Sequence, residues 1–216
     1  MLPSGWRSEC MKDSVDIADM KALHAALSNP SEQPRTLAVV AGAYLDDYLG
    51  KALRLRMPGL GTDEMKKLFD ANAPLGTMGS KIELARVLNI CDAVSKSDLI
   101  TIARIRNRFA HNIHFTSFED AEISKLVGKL KSGQEFLDTH KLNPDHAWTP
   151  KTNRNIFYWT VVNLSMSLHN HIVTIDHNLN EIDQMLSTST DENLKAPLRL
   201  ARSMFRTSSS AGKSGS

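Results

Sequence analysis

Cysteine is scarce in this chain. Cys10 and Cys91 are far apart and in unrelated contexts. They form no C-x-x-C pair and cannot complete a zinc site alone, which points to a reduced, cytoplasmic protein. Long apolar runs are missing as well. The longest stretch that suggests one, residues 155–175, lacks Asp, Glu, Lys and Arg but contains Asn163, Ser165, Ser167, His169, Asn170, His171 and Thr174. That is too polar for a lipid-facing span, so it reads as a core helix and no membrane partner is expected. The first residues, with Pro3, Trp6, Arg7 and Glu9, hold no apolar core of signal-peptide type. Charge excess is small too. A net charge of +2 does not mark a nucleic-acid binder, and only an uneven distribution could do so. Finally, no segment sustains the period-two alternation of a strand, and no internal repeat is present, so the fold class is all-α.

What is present is helical periodicity over nearly the whole length. With 216 residues, 41% of them hydrophobic, the chain suits one domain with appendages and a real core. Residues 35–56 set Leu37, Val40, Ala41, Tyr44, Leu45, Tyr48, Leu49, Ala52 and Leu53 at three- and four-residue spacing. Pro34 suits the first turn of that helix, and Met57-Pro58-Gly59 ends it. Further helices are predicted over 15–27 and from Thr62 to Phe69. Ser80-Lys81-Ile82-Glu83 reads as a capping box opening the next helix. Ser97-Asp98 is the expected start of a helix that turns Leu99, Ile102, Ile105 and Phe109 inward. Another helix is expected over 119–130, followed by a weakly patterned connection over 132–153. A long helix over 153–185 should contribute Ile156, Trp159, Val162, Met166, His169 and Val173 to the core, and a last helix covers 192–205. The organisation is then a core bundle over 1–131, additional helices packed on it over 132–206, and a Ser/Gly-rich disordered tail over 207–216.

The stretch with the most chemistry is Arg104-Ile105-Arg106-Asn107-Arg108-Phe109-Ala110-His111. Residues 99–118 contain three arginines and no acid. On a helix Asn107 and His111 share a face, so the amide can orient the imidazole and select its tautomer. A guanidinium can grip a phosphate through two hydrogen bonds, and an imidazole can move a proton near neutral pH, so no metal or cofactor is implied. The bland alternative is a solvated cationic face with His111 favouring the negative end of the helix dipole. His114 reads as incidental.

Other groups carry less. The loop around Gly76 and Gly79 is no P-loop, because Lys81 is not followed by Ser or Thr at the required spacing, and it reads as a tight turn under the motif helix. Asp46 and Asp47 are adjacent and diverge on a helix; Asp47 is expected to pair with an arginine of the motif helix. His169, His171 and His177 lack carboxylate or cysteine partners at ligand spacing, so no metal site is expected. Residues 193–216 hold Lys195, Arg199, Arg202, Arg206 and Lys213 and no acid. Arg199, Arg202 and Arg206 could lie along a phosphate backbone, or form the solvated side of a bundle helix.

Arg106-Asn107-x-x-x-His111 resembles the signature of the HEPN superfamily, helical domains that include metal-independent endoribonucleases. A wider pattern resembles the mannitol operon repressor (MltR-like) family over residues 35–120. It comprises Tyr44-Leu45-Asp46-Asp47-Tyr48-Leu49, the loop from Pro74 to Ile82, and Ile105 to His111. The resemblance implies a HEPN-like helical bundle, here with extra C-terminal helices, in a homodimer with the motif near the protomer interface. In nuclease members it implies that Arg106 binds the scissile phosphate, His111 helps activate the 2′-hydroxyl and Asn107 orients the site, with Arg104 and Arg108 holding the nucleic acid. A toxin silenced by a protein antitoxin fits the same chemistry. In repressor-like members it implies a non-catalytic regulator of a sugar-alcohol operon acting through DNA or protein contacts. The expected partners are therefore RNA or DNA, a second copy, or a protein.

Overall fold

Leucine and alanine at helical spacing, a proline in the first turn and an extended Gln33 before it build a 22-residue helix, α2 (Pro34–Leu55). A computed structural model describes residues 17–57, 60–140 and 151–207 of the chain. Nine helices and no strand occur among the described residues. Around α2 lie α1 (Ile17–Ser28), α3 (Thr62–Phe69), α4 (Met78–Val87), α5 (Ala93–His111), α6 (Ala121–Val127), α7 (Lys131–His140), α8 (Asn153–Thr188) and α9 (Glu192–Thr207). Cys10, the predicted stop at Pro58-Gly59 and residues 208–216 of the tail lie outside the described residues.

The centre is α2 packed between α5 and α8. Leu37, Ala41, Leu45, Leu49 and Leu53 of α2 meet Leu99, Ile102, Ile105 and Phe109 of α5 and Phe157, Val161, Leu164 and Leu168 of α8 in one continuous core. Each large apolar side chain so buried contributes roughly 1.5–3 kcal/mol. The α2–α5 crossing is close at one point. A Cβ on Gly42 would lie 2.9 Å from Cγ of Arg106, so glycine there is what lets the motif helix approach. Ahead of α5, Asn89 at φ 53° takes the left-handed position that ends α4. Its backbone N–H donates to the Arg86 carbonyl at 3.2 Å, while Ile90 N–H reaches the Ala85 carbonyl at 2.8 Å.

Several local expectations are corrected. Helix α4 starts two residues before the predicted box, because Thr77 Oγ1 accepts from Ser80 N at 3.2 Å. Helix α5 starts at Ala93 with Asp92 as its cap, accepting from Ser95 N at 2.7 Å. Asp98 is instead fully buried and accepts from Lys131 N, Ser132 N and Ser132 Oγ at 2.9, 2.9 and 2.7 Å. It caps α7 from across the bundle, and α7 occupies part of the predicted connection. Gly133 lets α7 pack on α8, since a Cβ there would collide with the Ile156 carbonyl and Thr160. On α8 the buried face is shifted from the predicted one. Met166 and Val173 are exposed, whereas Thr160 and Ser165 are buried, bonded to the Ile156 and Val161 carbonyls at 2.8 and 2.7 Å. Val40 is likewise partly exposed on the outside of α2.

The far half of α8 leaves the bundle. Its Ile175, Leu179 and Ile182 are buried against α9, which runs back along it. Arg202 Nε lies 2.7 Å from Asp183 Oδ1, and its Nη2 donates to Oδ2 at 3.2 Å, fixing the register of this hairpin. No helix among the described residues is long and apolar enough to cross a membrane.

Candidate functional site

The exposed groups at the end of α5 surround its last two turns outside the buried strip of Ile105 and Phe109, with Arg106 on the side toward Gly42 and Arg104, Asn107, Arg108 and His111 around the rest. Ile105 and Phe109 anchor the inner side in the core, and Phe109 meets Phe118 edge to face at 5.5 Å. That anchoring leaves Arg104, Arg106, Asn107, Arg108 and His111 on the surface together. The sequence motif is thus gathered in space as well as in sequence.

Their partners differ. The stem of Arg106 lies over Gly42, and its Nη1 donates to Asn107 Oδ1 at 2.8 Å. Asn107 therefore engages the guanidinium, and the expected hydrogen bond from Asn107 to His111 is not formed. His111 has no hydrogen-bond partner among the described residues, and Arg104 has no ion pair there. Arg108 Nη1 stands 3.5 Å from Glu122 Oε2 of α6, both ends being well exposed. That acid is missing from the sequence neighbourhood and is supplied by the fold. As cations in the last turn, Arg108 and His111 favour the helix dipole by about 0.3–1 kcal/mol each when charged.

Beyond His111 the chain makes a braced turn. Arg35 of α2 donates through Nη2 to the carbonyls of Asn112 at 3.0 Å and Phe115 at 3.4 Å. Asn112 Oδ1 accepts from His114 N at 3.0 Å, and Asp120 Oδ2 accepts from Thr116 N and Ser117 N at 2.8 and 3.0 Å. At the tip, Ile113 is 76% exposed. Its signal in the sequence is an aliphatic residue set between Asn112 and His114 in an otherwise polar turn. The turn holds an aliphatic knob between two exposed histidines, with the aromatics Phe109 and Phe118 buried nearby.

The remaining candidates serve the scaffold. Asp47 pairs with Lys51 at 3.0 Å, one turn along α2, and not with an arginine of α5. Asp46 meets the buried Lys81 of α4 at 2.8 Å, which ties the glycine loop to α2. His171 Nε2 lies 3.3 Å from Nη2 of the buried Arg56. Burial, with the Arg56 charge adding to it, pushes the imidazole down to about 4, so at neutral pH it is an uncharged acceptor for the guanidinium. His177 stands 3.5 Å from Glu181. Cys91 is buried, and burial raises its thiol to about 11, which makes it unreactive. No group of three or more His, Cys, Asp or Glu among the described residues could hold a metal ion.

The C-terminal arginines do not join this site. Arg199 is exposed, Arg202 is committed to Asp183, and the side chain of Arg206 lies outside the described residues. Asn153, at the start of α8, holds the Phe118 carbonyl beside the motif at 3.1 Å. Asp183 holds Arg202 about 30 residues further along the same helix, which sets the two basic groups roughly 45 Å apart.

No family model matches the chain, and no curated protein matches it. Among solved structures it is similar to a chain of the X-ray structure of the MtlR–HPr complex from Escherichia coli. The TM-score is 0.52 and the identity 17%, over 70% of this chain and 99% of that one. At that identity the likeness is one of fold.

Proposed function

We propose that this chain is a non-catalytic regulator of the mannitol-repressor type that acts by binding a protein partner through the end of α5. The observation that carries this reading is Ile113, 76% exposed on a braced turn that follows directly on the exposed Arg108 and His111 and precedes the exposed His114. Protein interfaces centre on an apolar anchor inside a polar rim, and a preformed knob loses little entropy on docking. Single-stranded nucleic acid is held by exposed aromatic rings on which bases stack. Here Phe109 and Phe118 are buried, Phe115 is half-buried against the core, and the most exposed apolar side chain of the turn is aliphatic. Glu122 beside Arg108 also opposes a phosphate and suits a partner with both charges. The fold shared with a chain of a complex formed with HPr supports partner binding as the activity. The test is calorimetric titration of HPr into the full chain and into Ile113→Glu. Binding by the wild type that the variant loses supports the reading; no binding by the wild type removes HPr as the partner.

A second reading rests on Arg106, Asn107 and His111 being exposed together at one helix end, as the R-N-x-x-x-H resemblance requires of a metal-independent ribonuclease. Labelled RNA incubated with the chain in EDTA separates the two. Cleavage to 2′,3′-cyclic phosphate ends that His111→Ala abolishes would replace the binding reading with the catalytic one.

A further inference from the structure

The continuous core of the bundle stops at Ile172, but α8 runs on to Thr188. Over that stretch α9 packs on α8 and on no other helix to a comparable extent. The hairpin therefore has one narrow apolar seam, through Ile175, Leu179 and Ile182. Pairs of short helices gain most of their stability by packing on further helices, most simply as a four-helix bundle.

The apolar surface of the hairpin is wider than its seam. Lys195, Leu198, Ala201 and Arg202 sit half-buried against α8, whereas Leu194 is 50% exposed, Leu200 60%, and Pro197 between them is exposed too. Met185, in the last turn of α8, is 53% exposed. With Arg202 opposite Asp183 in an antiparallel pair, Met185 stands level with the turn from Pro197 to Leu200.

Charge selects the occupant. Beyond the internal Asp183–Arg202 pair, the outer half of α8 and the connection are acidic (Asp176, Glu181, Asp191), and α9 after its first residue, Glu192, is basic (Lys195, Arg199, Arg206). A nucleic acid or an acidic protein lying on α9 would meet those carboxylates as well. A second hairpin related by a twofold axis sets the basic helix of one copy beside the acidic helix of the other, so the surface is complementary to itself. We infer that the α8–α9 hairpin is a self-association surface. Hairpins of two copies of this chain pack into a four-helix bundle around Met185, Leu194 and the edge from Pro197 to Leu200. A face about 25 Å long and about 20 Å across covers roughly 500 Å² per copy, near the lower bound of a specific interface, so the dimer is concentration-dependent. It lies far from Arg106 and His111 and is distinct from an interface at the motif.

Sedimentation velocity of the full chain across a wide concentration range tests this. The expected result is a monomer of 24.0 kDa giving way to a species of twice that mass. Met185→Glu and Leu194→Glu, both at exposed positions, should each raise the dissociation constant by about tenfold or more while dilute protein melts as the wild type does. Val40→Glu, on the outside of α2, should leave the dimer unchanged. A monomer at every concentration overturns the inference, as does a dimer that survives both hairpin variants or is broken by Val40→Glu alone. Lower melting of the dilute hairpin variants overturns it in favour of cover from within the same chain.

Discussion

Helix α5 carries charge in both halves, and the surroundings of that charge differ completely. Asp98, in the first half, is fully buried and takes three hydrogen bonds from the start of α7. Arg104, Arg106 and His111, in the second half, are exposed and meet no carboxylate among the described residues. A buried charge persists only when its surroundings satisfy it, and it then belongs to the architecture. Exposed cations left without acids add little to folding and are available to another molecule. Arg56 with His171 belongs with Asp98 on this scale, and Arg108 with the exposed Glu122 belongs with the motif.

The comparison breaks most visibly at Asp98. Asp98→Ala takes a buried acceptor from three part-buried donors at the start of α7 and should destabilise the fold by about 3 kcal/mol or more, seen as a lower urea midpoint. An unchanged midpoint would show that α7 does not depend on this cap. The second effect is a pH dependence from His171. Its folded-state value of about 4 lies below the usual 6.5, so the folded protein binds fewer protons than the unfolded chain between the two. Stability from this group is complete above pH 6.5 and is lost as pH falls toward 4, by at most about 3 kcal/mol. Urea titrations over that range should show the slope, and His171→Gln should flatten it. A third, smaller effect comes from Gly42→Val, which pushes a branched side chain into Arg106 at the α2–α5 crossing. It should cost about 2 kcal/mol, and combining it with Arg106→Ala should recover part of that, a coupling that a double-mutant cycle reads directly.

The legible parts of this molecule were those whose causes are local. The apolar stripe of α2, the helical character of the chain and the R-N-x-x-x-H run depend on spacing within a few residues, and they appear where the spacing puts them. Helix α7 was not legible, because its N-terminal donors are satisfied by Asp98 from a distant part of the chain and Gly133 weakens its pattern. The buried face of α8 was misplaced for a related reason. Thr160 and Ser165 bond back to carbonyls of their own helix, so hydroxyls enter the core where hydropathy predicts Met166 and Val173. At the motif, the sequence shows which residues are present but not how they pair. The bond of Arg106 to Asn107, the approach of Glu122 and the bracing of the Ile113 turn by Arg35 all depend on chain segments brought together by the fold.

The smallest stability effects are expected at the motif itself, and they separate its two uses. Arg104→Ala, Arg108→Ala and His111→Ala each remove an exposed side chain, so each should leave stability within about 0.5 kcal/mol of the wild type. Their effects on function should then diverge. If the end of α5 docks a protein, Arg104→Ala and Arg108→Ala should weaken the partner in a salt-dependent way, and Ile113→Glu should weaken it most, because the apolar anchor sits at the centre and the cations at the rim. If it cleaves RNA, His111→Ala should abolish activity while Ile113→Glu, which removes no group able to transfer a proton, should reduce it far less. The ratio of the Ile113 effect to the His111 effect, measured on equally stable variants, therefore distinguishes a docking knob from a catalytic imidazole.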